Sequence, residues 1–263
     1  MTDVFIRILK GMCMFVMFAL FFMGILVHLI FILPVSSTLD LLYGPKLRFE
    51  RAVRVGFRWW LGIMGLLGLV KADPSEGRPM GGPCVVVCNH PGLFDVLFLI
   101  TEIPNLSVMV KTTLSRKLPL GPILRALGYV LVPDFDRISP LETAEESIGR
   151  IKKGSKLQLF PEGTRSPYGG LRPFRSGAFK IARMTNVPVQ PVLIRNQPPF
   201  LPKEDKWYFP QKEVSHVKME FWEPLMPPEK RQEGKFASKL EERFRNALGI
   251  ISHGDTAAQR KNE

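Results

Sequence analysis

The chain reads as an α/β protein with a largely parallel central sheet flanked by helices, preceded by an N-terminal membrane-anchoring helical segment. Three observations predict this. Short apolar runs alternate with helix-like segments from residue 84 to residue 194, the pattern of strands joined by crossover helices. Two unusual polar loops, "NHPGLFD" (89–95) and "FPEGTRS" (160–166), each follow one of those runs, and ligands of such sheets gather at the carboxyl ends of strands. No formally charged side chain occurs between Gly11 and Leu33.

In chain order, the uncharged stretch comes first. At helical rise it spans roughly 35 Å, enough to cross a bilayer core with some tilt. A signal peptide with Arg7 and Lys10 at its head is the competitor, but its apolar region is only about 7–15 residues long. An uncleaved anchor is the better reading. Lys46, Arg48, Arg51, Arg54 and Arg58 follow the anchor, against Arg7 and Lys10 before it. The positive-inside rule therefore sets the main body on the cytoplasmic face. The segment "WWLGIMGLLGLV" (59–70) is too short to span. It fits an interfacial segment with its Trp pair at headgroup level, or a core helix, equally well.

Residues 71–83 are rich in Gly and Pro and read as a linker or exposed loop. Strand-like runs follow at 84–88, 106–110, 128–132, 156–160 and 188–194, with helix-like segments at 112–126, 140–153 and 174–185 between them. Further strands are expected around 206–209 and 216–222, then an amphipathic helix within 228–248. The expected division is 1–70 for anchor and interfacial helix, 71–250 for the α/β domain and 251–263 for a polar tail. The chain has no internal repeat.

The net charge of +12 admits nucleic acid, an anionic membrane surface or acidic soluble ligands as partners. No nucleic-acid signature is present, and the aromatics are not interleaved with the cations. Three cysteines, Cys13, Cys84 and Cys88, do not build a disulfide framework.

In the first loop His90 and Asp95 lie five positions apart. On a regular helix they would point about 140° away from each other. Pro91 pushes His90 out of the α region and suits the first position of a helix. His90 would then be extended, and its imidazole could fold back over a first turn carrying Asp95. An Asp on one ring nitrogen leaves the other as a proton acceptor, and free N–H groups near Gly92 would suit an oxyanion. From the residues alone, a helix-capping Asp and a satisfied turn His is the better reading.

There is no Gly-x-Ser-x-Gly elbow. Cys84, Cys88 and His90 raise a zinc site or thiol nucleophile, but the spacing is wrong for zinc and no fourth ligand is evident. Buried cysteine in an apolar strand is mostly packing. In the second loop Arg165 could grip a phosphate, aided by the Thr164 hydroxyl and the Gly163 amide. Glu162 could orient that arginine or accept a hydrogen bond from a hydroxyl. A solvated turn with an internal ion pair is equally compatible.

Taken together, "NHPGLFD" and "FPEGTRS" resemble the signature blocks of the glycerolipid acyltransferases typified by 1-acylglycerol-3-phosphate (lysophosphatidate) O-acyltransferase. Those enzymes carry a His and an Asp separated by four residues, then Phe-Pro-Glu-Gly-Thr-Arg. "GYVLVPDFDR" (128–137) and "VPVQPVLI" (187–194) resemble the other blocks, and the likeness covers roughly residues 80–200. It implies acyl transfer from acyl-CoA or acyl-carrier protein to a lysophospholipid acceptor, in phospholipid biosynthesis, with no cofactor and no metal. It implies His90 as base and Asp95 as its partner. It makes Glu162, Gly163, Thr164 and Arg165 acceptor-binding, with Arg137 and Lys111 as further phosphate contacts. Membrane lipids are then partners and nucleic acid is not, and the expected location is a membrane such as a bacterial inner membrane.

Departures from the family pattern concern the acceptor. Pro91 and Gly92 stand where lysophosphatidate users often have Gln-Ser. Asp134 stands where the second block usually has its arginine, and Arg137 comes three residues late. Gln190 interrupts the last block. Two rivals are a related acyltransferase with another lysolipid or specialised acceptor, and an idle membrane-associated scaffold. Intact His90, Asp95, Glu162 and Arg165 weigh against the scaffold.

Overall fold

The computed structural model describes residues 2–44, 48–132, 140–202, 206–208 and 210–250. Helix α1 (Thr2–Val27) runs through one π-helical turn (His28–Ile32) into α2 (Leu33–Tyr43), and α3 (Arg48–Leu66) follows. The domain then alternates: β1 (Val70–Ala72), β2 (Val85–Cys88), α4 (Asp95–Glu102), β3 (Leu106–Lys111), α5 (Thr112–Ser115), α6 (Leu120–Ala126), β4 (Val130–Val132), α7 (Pro140–Lys152), β5 (Lys156–Leu159), α8 (Gly177–Thr185), β6 (Val189–Gln197), β7 (Ser215–Phe221) and α9 (Glu233–Leu248). The seven strands form one sheet in the order β1-β7-β6-β2-β5-β3-β4. Every pairing is parallel except β6 with β7.

Strand period two divides the core. Cys84, Val86 and Cys88 face a cluster that includes Phe98 and Leu99 of α4 and Trp60 and Met64 of α3. Val85 and Val87 face the opposite cluster, with Phe179 of α8 and Phe244 of α9. Both faces of β2 are covered, which is why "CVVVC" is apolar throughout instead of alternating.

Four expectations need correction. Residues 112–126 form two short helices, because Pro119 lacks an N–H and disfavours helix at the residue before it. Residues 71–83 are not all linker: Val70–Ala72 is an edge strand paired with β7, too short to carry a periodic signal. Trp207 and Tyr208 lie in a turn, not a strand. Trp207 meets the ring edge of Phe18 on α1 at 5.2 Å, and a Cβ on Gly11 would lie 2.3 Å from the Tyr208 carbonyl oxygen. Helix α4 starts at Asp95, four residues after Pro91.

The stretch Asp3–Tyr43 is long and apolar enough to cross a membrane. One side of α1 is nonetheless core, with Met14 and Met17 fully buried and the Trp60 indole donating to the Met17 carbonyl at 2.9 Å. Helix α3 divides similarly: Trp60, Leu61 and Met64 are buried, whereas Trp59 and Leu66 are exposed. The segment 59–70 thus lines the core on one face and keeps an apolar row outside.

Candidate active site

Strands β2 and β5 are hydrogen-bonded neighbours, with Val87 opposite Leu159. The loops that leave their carboxyl ends therefore share one edge of the sheet. Asn89 fixes the departure of the first loop. Its side-chain amide donates to the Ile194 carbonyl at 2.9 Å, and its carbonyl accepts the Ile194 N–H at 2.8 Å. The side chain thereby continues the ladder to β6 where the backbone of β2 leaves it.

His90 comes next, and its Nδ1 lies 2.9 Å from Oδ2 of Asp95. The imidazole is 17% exposed and the carboxylate 1%. A carboxylate only accepts, so Nδ1 carries the hydrogen and Nε2 keeps its lone pair. Asp95 is the first residue of α4, where the helix macrodipole favours negative charge. Asp95 Oδ2 also accepts the Gly92 N–H at 2.7 Å, and Asn196 Nδ2 lies 3.4 Å from Oδ1. This overturns one expectation: the Gly92 amide is spent on Asp95 and is not free for an oxyanion. Glycine is needed there because a Cβ would sit 2.5 Å from Asn196 Nδ2 and 2.6 Å from the Phe200 carbonyl oxygen. The ring of Phe160 covers one face of the imidazole, with centroids 3.9 Å apart.

The second loop is organised around Glu162, which is 3% exposed. Oε1 accepts the His90 N–H at 3.0 Å and the Ser166 hydroxyl at 2.7 Å, while Oε2 accepts the Arg172 N–H at 2.8 Å. Ser166 N–H donates in turn to the His90 carbonyl at 2.8 Å. Burial pushes the Glu162 carboxyl up, and the Arg172, Ser166 and His90 donors offset this only in part. Both its oxygens are engaged by these donors, so it is a strap between the two loops, turned neither to Arg165 nor to an acceptor hydroxyl.

Arg165 is half-buried, and its Nη1 donates to the Leu201 carbonyl at 3.0 Å. The Arg172 Nε holds the Arg165 carbonyl at 3.1 Å. Gly163 is exposed at φ +73°, a left-handed conformation that suits glycine, and Thr164 is half-buried. Lys111 ends β3, on the far side of β5. Arg137 and Asp134 lie outside the described residues. Gln190, which interrupts an apolar block, accepts the Met80 N–H and donates to the Arg78 carbonyl, tying the 78–80 loop to β6.

Cys88 is fully buried, accepts a hydrogen bond from Gln158 Nε2 at 3.2 Å, and burial drives its thiol far up. Burial raises Cys84 to about 11. Among the described residues no three His, Cys, Asp or Glu side chains gather as a metal site requires. Sequence reasoning missed Asn89, Phe160, Ser166, Arg172 and Asn196. The first three stand inside or beside the quoted motifs, where only their lack of acid–base chemistry hid them.

Residues 70–195 match the family model described as Acyltransferase. The chain is 33% identical over 140 residues to a chloroplastic 1-acyl-sn-glycerol-3-phosphate acyltransferase of Brassica napus, covering 53% of this chain and 38% of that protein. It is 32% identical over 130 residues to the human beta enzyme of that name, covering 48% and 46%. The chain thus spans less than half the length of these curated relatives. A probable 1-acyl-sn-glycerol-3-phosphate acyltransferase of Mycoplasma genitalium is 29% identical over 195 residues, with 72% and 70% covered. The crystal structure of the 1-acyl-sn-glycerophosphate acyltransferase of Thermotoga maritima superposes with a TM-score of 0.68 at 22% identity, over 94% of this chain and 99% of that one, and shares the fold. The stretch 70–195, which carries both loops, is thus the part of the chain that is similar to the acyltransferase family.

Proposed function

We propose that the chain is an O-acyltransferase that moves a fatty acyl group from acyl-CoA or acyl-carrier protein to the free hydroxyl of 1-acylglycerol-3-phosphate. The observation that carries this reading is the His90–Asp95 pair, with Nδ1 held and Nε2 left as a base. His90 Nε2 takes the hydroxyl proton as the oxygen attacks the thioester carbonyl. The tetrahedral centre collapses with loss of thiolate, which takes the proton back from the imidazolium. Asp95 stabilises that imidazolium by charge and hydrogen bonding. Thiolate is a tolerable leaving group, so no second acid is essential.

Arg165, with the Thr164 hydroxyl, holds the acceptor phosphate through charge-assisted hydrogen bonds. The Gly163 N–H donates to the Phe160 carbonyl at 3.0 Å, so Gly163 serves by closing the turn and not as the phosphate donor expected of its amide. Lys111 and Arg137 are further phosphate contacts. Glu162 serves by fixing the His90 backbone. The apolar crevice lined by Leu20, Phe21, Ile25, Val53, Phe57 and Trp60 suits an acyl chain. Trp60 in its wall meets the ring of Phe94, the residue before Asp95, at 5.2 Å.

The protein works at a membrane. The helical stretch 3–43 is long and apolar enough to span or insert, and exposed Trp59 and Leu66 lie on the outer face of α3. The basic flank after the anchor supports placing the domain on the cytoplasmic side.

The test is transfer by the purified full-length chain in detergent micelles, supplied with acyl-CoA or acyl-carrier protein. Thioester consumption should require 1-acylglycerol-3-phosphate and yield the diacyl product. A folded chain that consumes neither donor with this acceptor would sink the reading.

A further inference from the structure

Asp95 holds the edge of the His90 ring, and Phe160 covers its face. The Phe160 ring lies nearly parallel to the imidazole, at 3.9 Å between centroids and 11° between planes. The fold fixes this stacking. Phe160 directly follows β5, and the parallel register sets Leu159 beside Val87, so Phe160 and His90 leave adjacent strands at the same end of the sheet. The turn closes immediately, with Gly163 N–H donating to the Phe160 carbonyl at 3.0 Å. The Phe160 ring is half-buried and packs against the core cluster on the α4 side.

Two neutral rings gain little from lying face to face, since their quadrupoles favour offset or edge-on arrangements. A cation over a ring face is attracted by the same quadrupole within about 6 Å. The contact therefore strengthens when His90 gains charge.

Resting on the reading of His90 as general base, we infer that Phe160 is a positioning residue for the reaction. It clamps the imidazole plane and stabilises, face-on, the imidazolium that forms as the acceptor hydroxyl loses its proton. No bond to Phe160 forms or breaks. The interaction is stronger in the transition state than in the ground state, so it acts on kcat and leaves KM nearly unchanged.

The experiment replaces Phe160 in the full-length protein by phenylalanines carrying increasing numbers of ring fluorines, which drain the π face with little change of shape. Acyl transfer to 1-acylglycerol-3-phosphate is then measured in detergent micelles. The expected result is a stepwise fall in log kcat with fluorine number, to roughly 3- to 30-fold for the fully fluorinated ring, at nearly constant KM. Phe160→Tyr retains most activity, and Phe160→Leu loses at least as much as full fluorination does. A flat fluorine series in an active enzyme, even with Phe160→Leu impaired, would reduce Phe160 to a space-filler and overturn the inference alone. A wild-type chain without transfer activity would overturn the underlying reading, and the inference with it.

Discussion

Asp95 and Glu162 are both hidden, at 1% and 3% exposure; Asp95 opens the helix that follows β2, and Glu162 stands on the loop that follows its parallel neighbour β5. Their partners separate them. Asp95 accepts from an imidazole nitrogen, whereas Glu162 accepts from two backbone amides and a hydroxyl. Two buried carboxylates in one site can thus divide the work, one tied to proton movement and the other to geometry. Substitutions that keep shape but change donors should pull the two roles apart.

The largest effects are expected at the first loop. His90→Ala should abolish nearly all transfer. Asp95→Asn is nearly isosteric, but one oxygen, Oδ2, takes both His90 Nδ1 and the Gly92 N–H. A carbonyl in that place keeps both contacts and loses the charge that steadied the imidazolium. An NH2 there would meet the Gly92 N–H, demand an acceptor at Nδ1 and move the ring hydrogen to Nε2, so that the base is lost as well. A fall in kcat of about 10²–10⁴ is expected, with the urea midpoint little changed. Steady-state kinetics beside an unfolding curve measures both.

Arg165 comes next. A charge-assisted contact contributes about 1.5–3 kcal/mol, so Arg165→Ala should cost roughly 10- to 150-fold in kcat/KM with a phosphorylated acceptor. One arm of the guanidinium already holds the Leu201 carbonyl. The dephosphorylated analogue should therefore lose some activity too, but less. Arg165→Lys should recover only part, keeping the charge and losing the fork. Equal losses on both acceptors would mean that Arg165 merely secures the 200s loop. Glu162→Gln should show the opposite signature to Asp95→Asn. Every partner of Glu162 is a donor in the native network, so the new amide hydrogens meet other hydrogens. A buried donor left unsatisfied costs about 1–3 kcal/mol of folding stability. Activity should fall only as far as the two loops come apart.

The sheet was legible because β2, β5 and β6 are covered on both sides, and their apolar runs stop at polar loops. The alignment of the two loops rests on the pairing of β2 with β5, which their spacing in the chain does not dictate. Hidden features were those set by partners distant in sequence. That the Gly92 amide serves Asp95 depends on α4 starting at residue 95, and Pro91 by itself allowed an earlier start. Glu162 reads as a ligand for Arg165, three residues on, until the fold brings His90 and Arg172 to it. Likewise, α1 reads as apolar all round, yet Met14 and Met17 lie against α3, an attachment that composition cannot reveal. The edge strand Val70–Ala72 is defined by its partner β7 alone.

The smallest effect is expected at Cys88, beneath the reactive loop, and it bears on whether the reaction has a covalent stage. A thiol nucleophile must be ionised and accessible. Cys88 is neither: its side chain is fully buried, and burial drives the thiol far up, a shift that the hydrogen bond from Gln158 offsets only in part. Cys88→Ser keeps an acceptor for Gln158 Nε2 and gains a stronger donor towards the Leu159 carbonyl, which the sulfur reaches only at 4.0 Å. The residue sits among apolar side chains, so a modest loss of stability, on the order of 1 kcal/mol, is expected. Transfer should remain within about threefold of wild type, since His90, Asp95 and the strap from Glu162 are untouched; threefold is under 1 kcal/mol of barrier. Intact-mass analysis during turnover should find no acyl group on the wild-type chain. An acyl thioester at Cys88, or a serine variant as inactive as His90→Ala, would replace direct attack by a two-step mechanism with His90 activating the thiol.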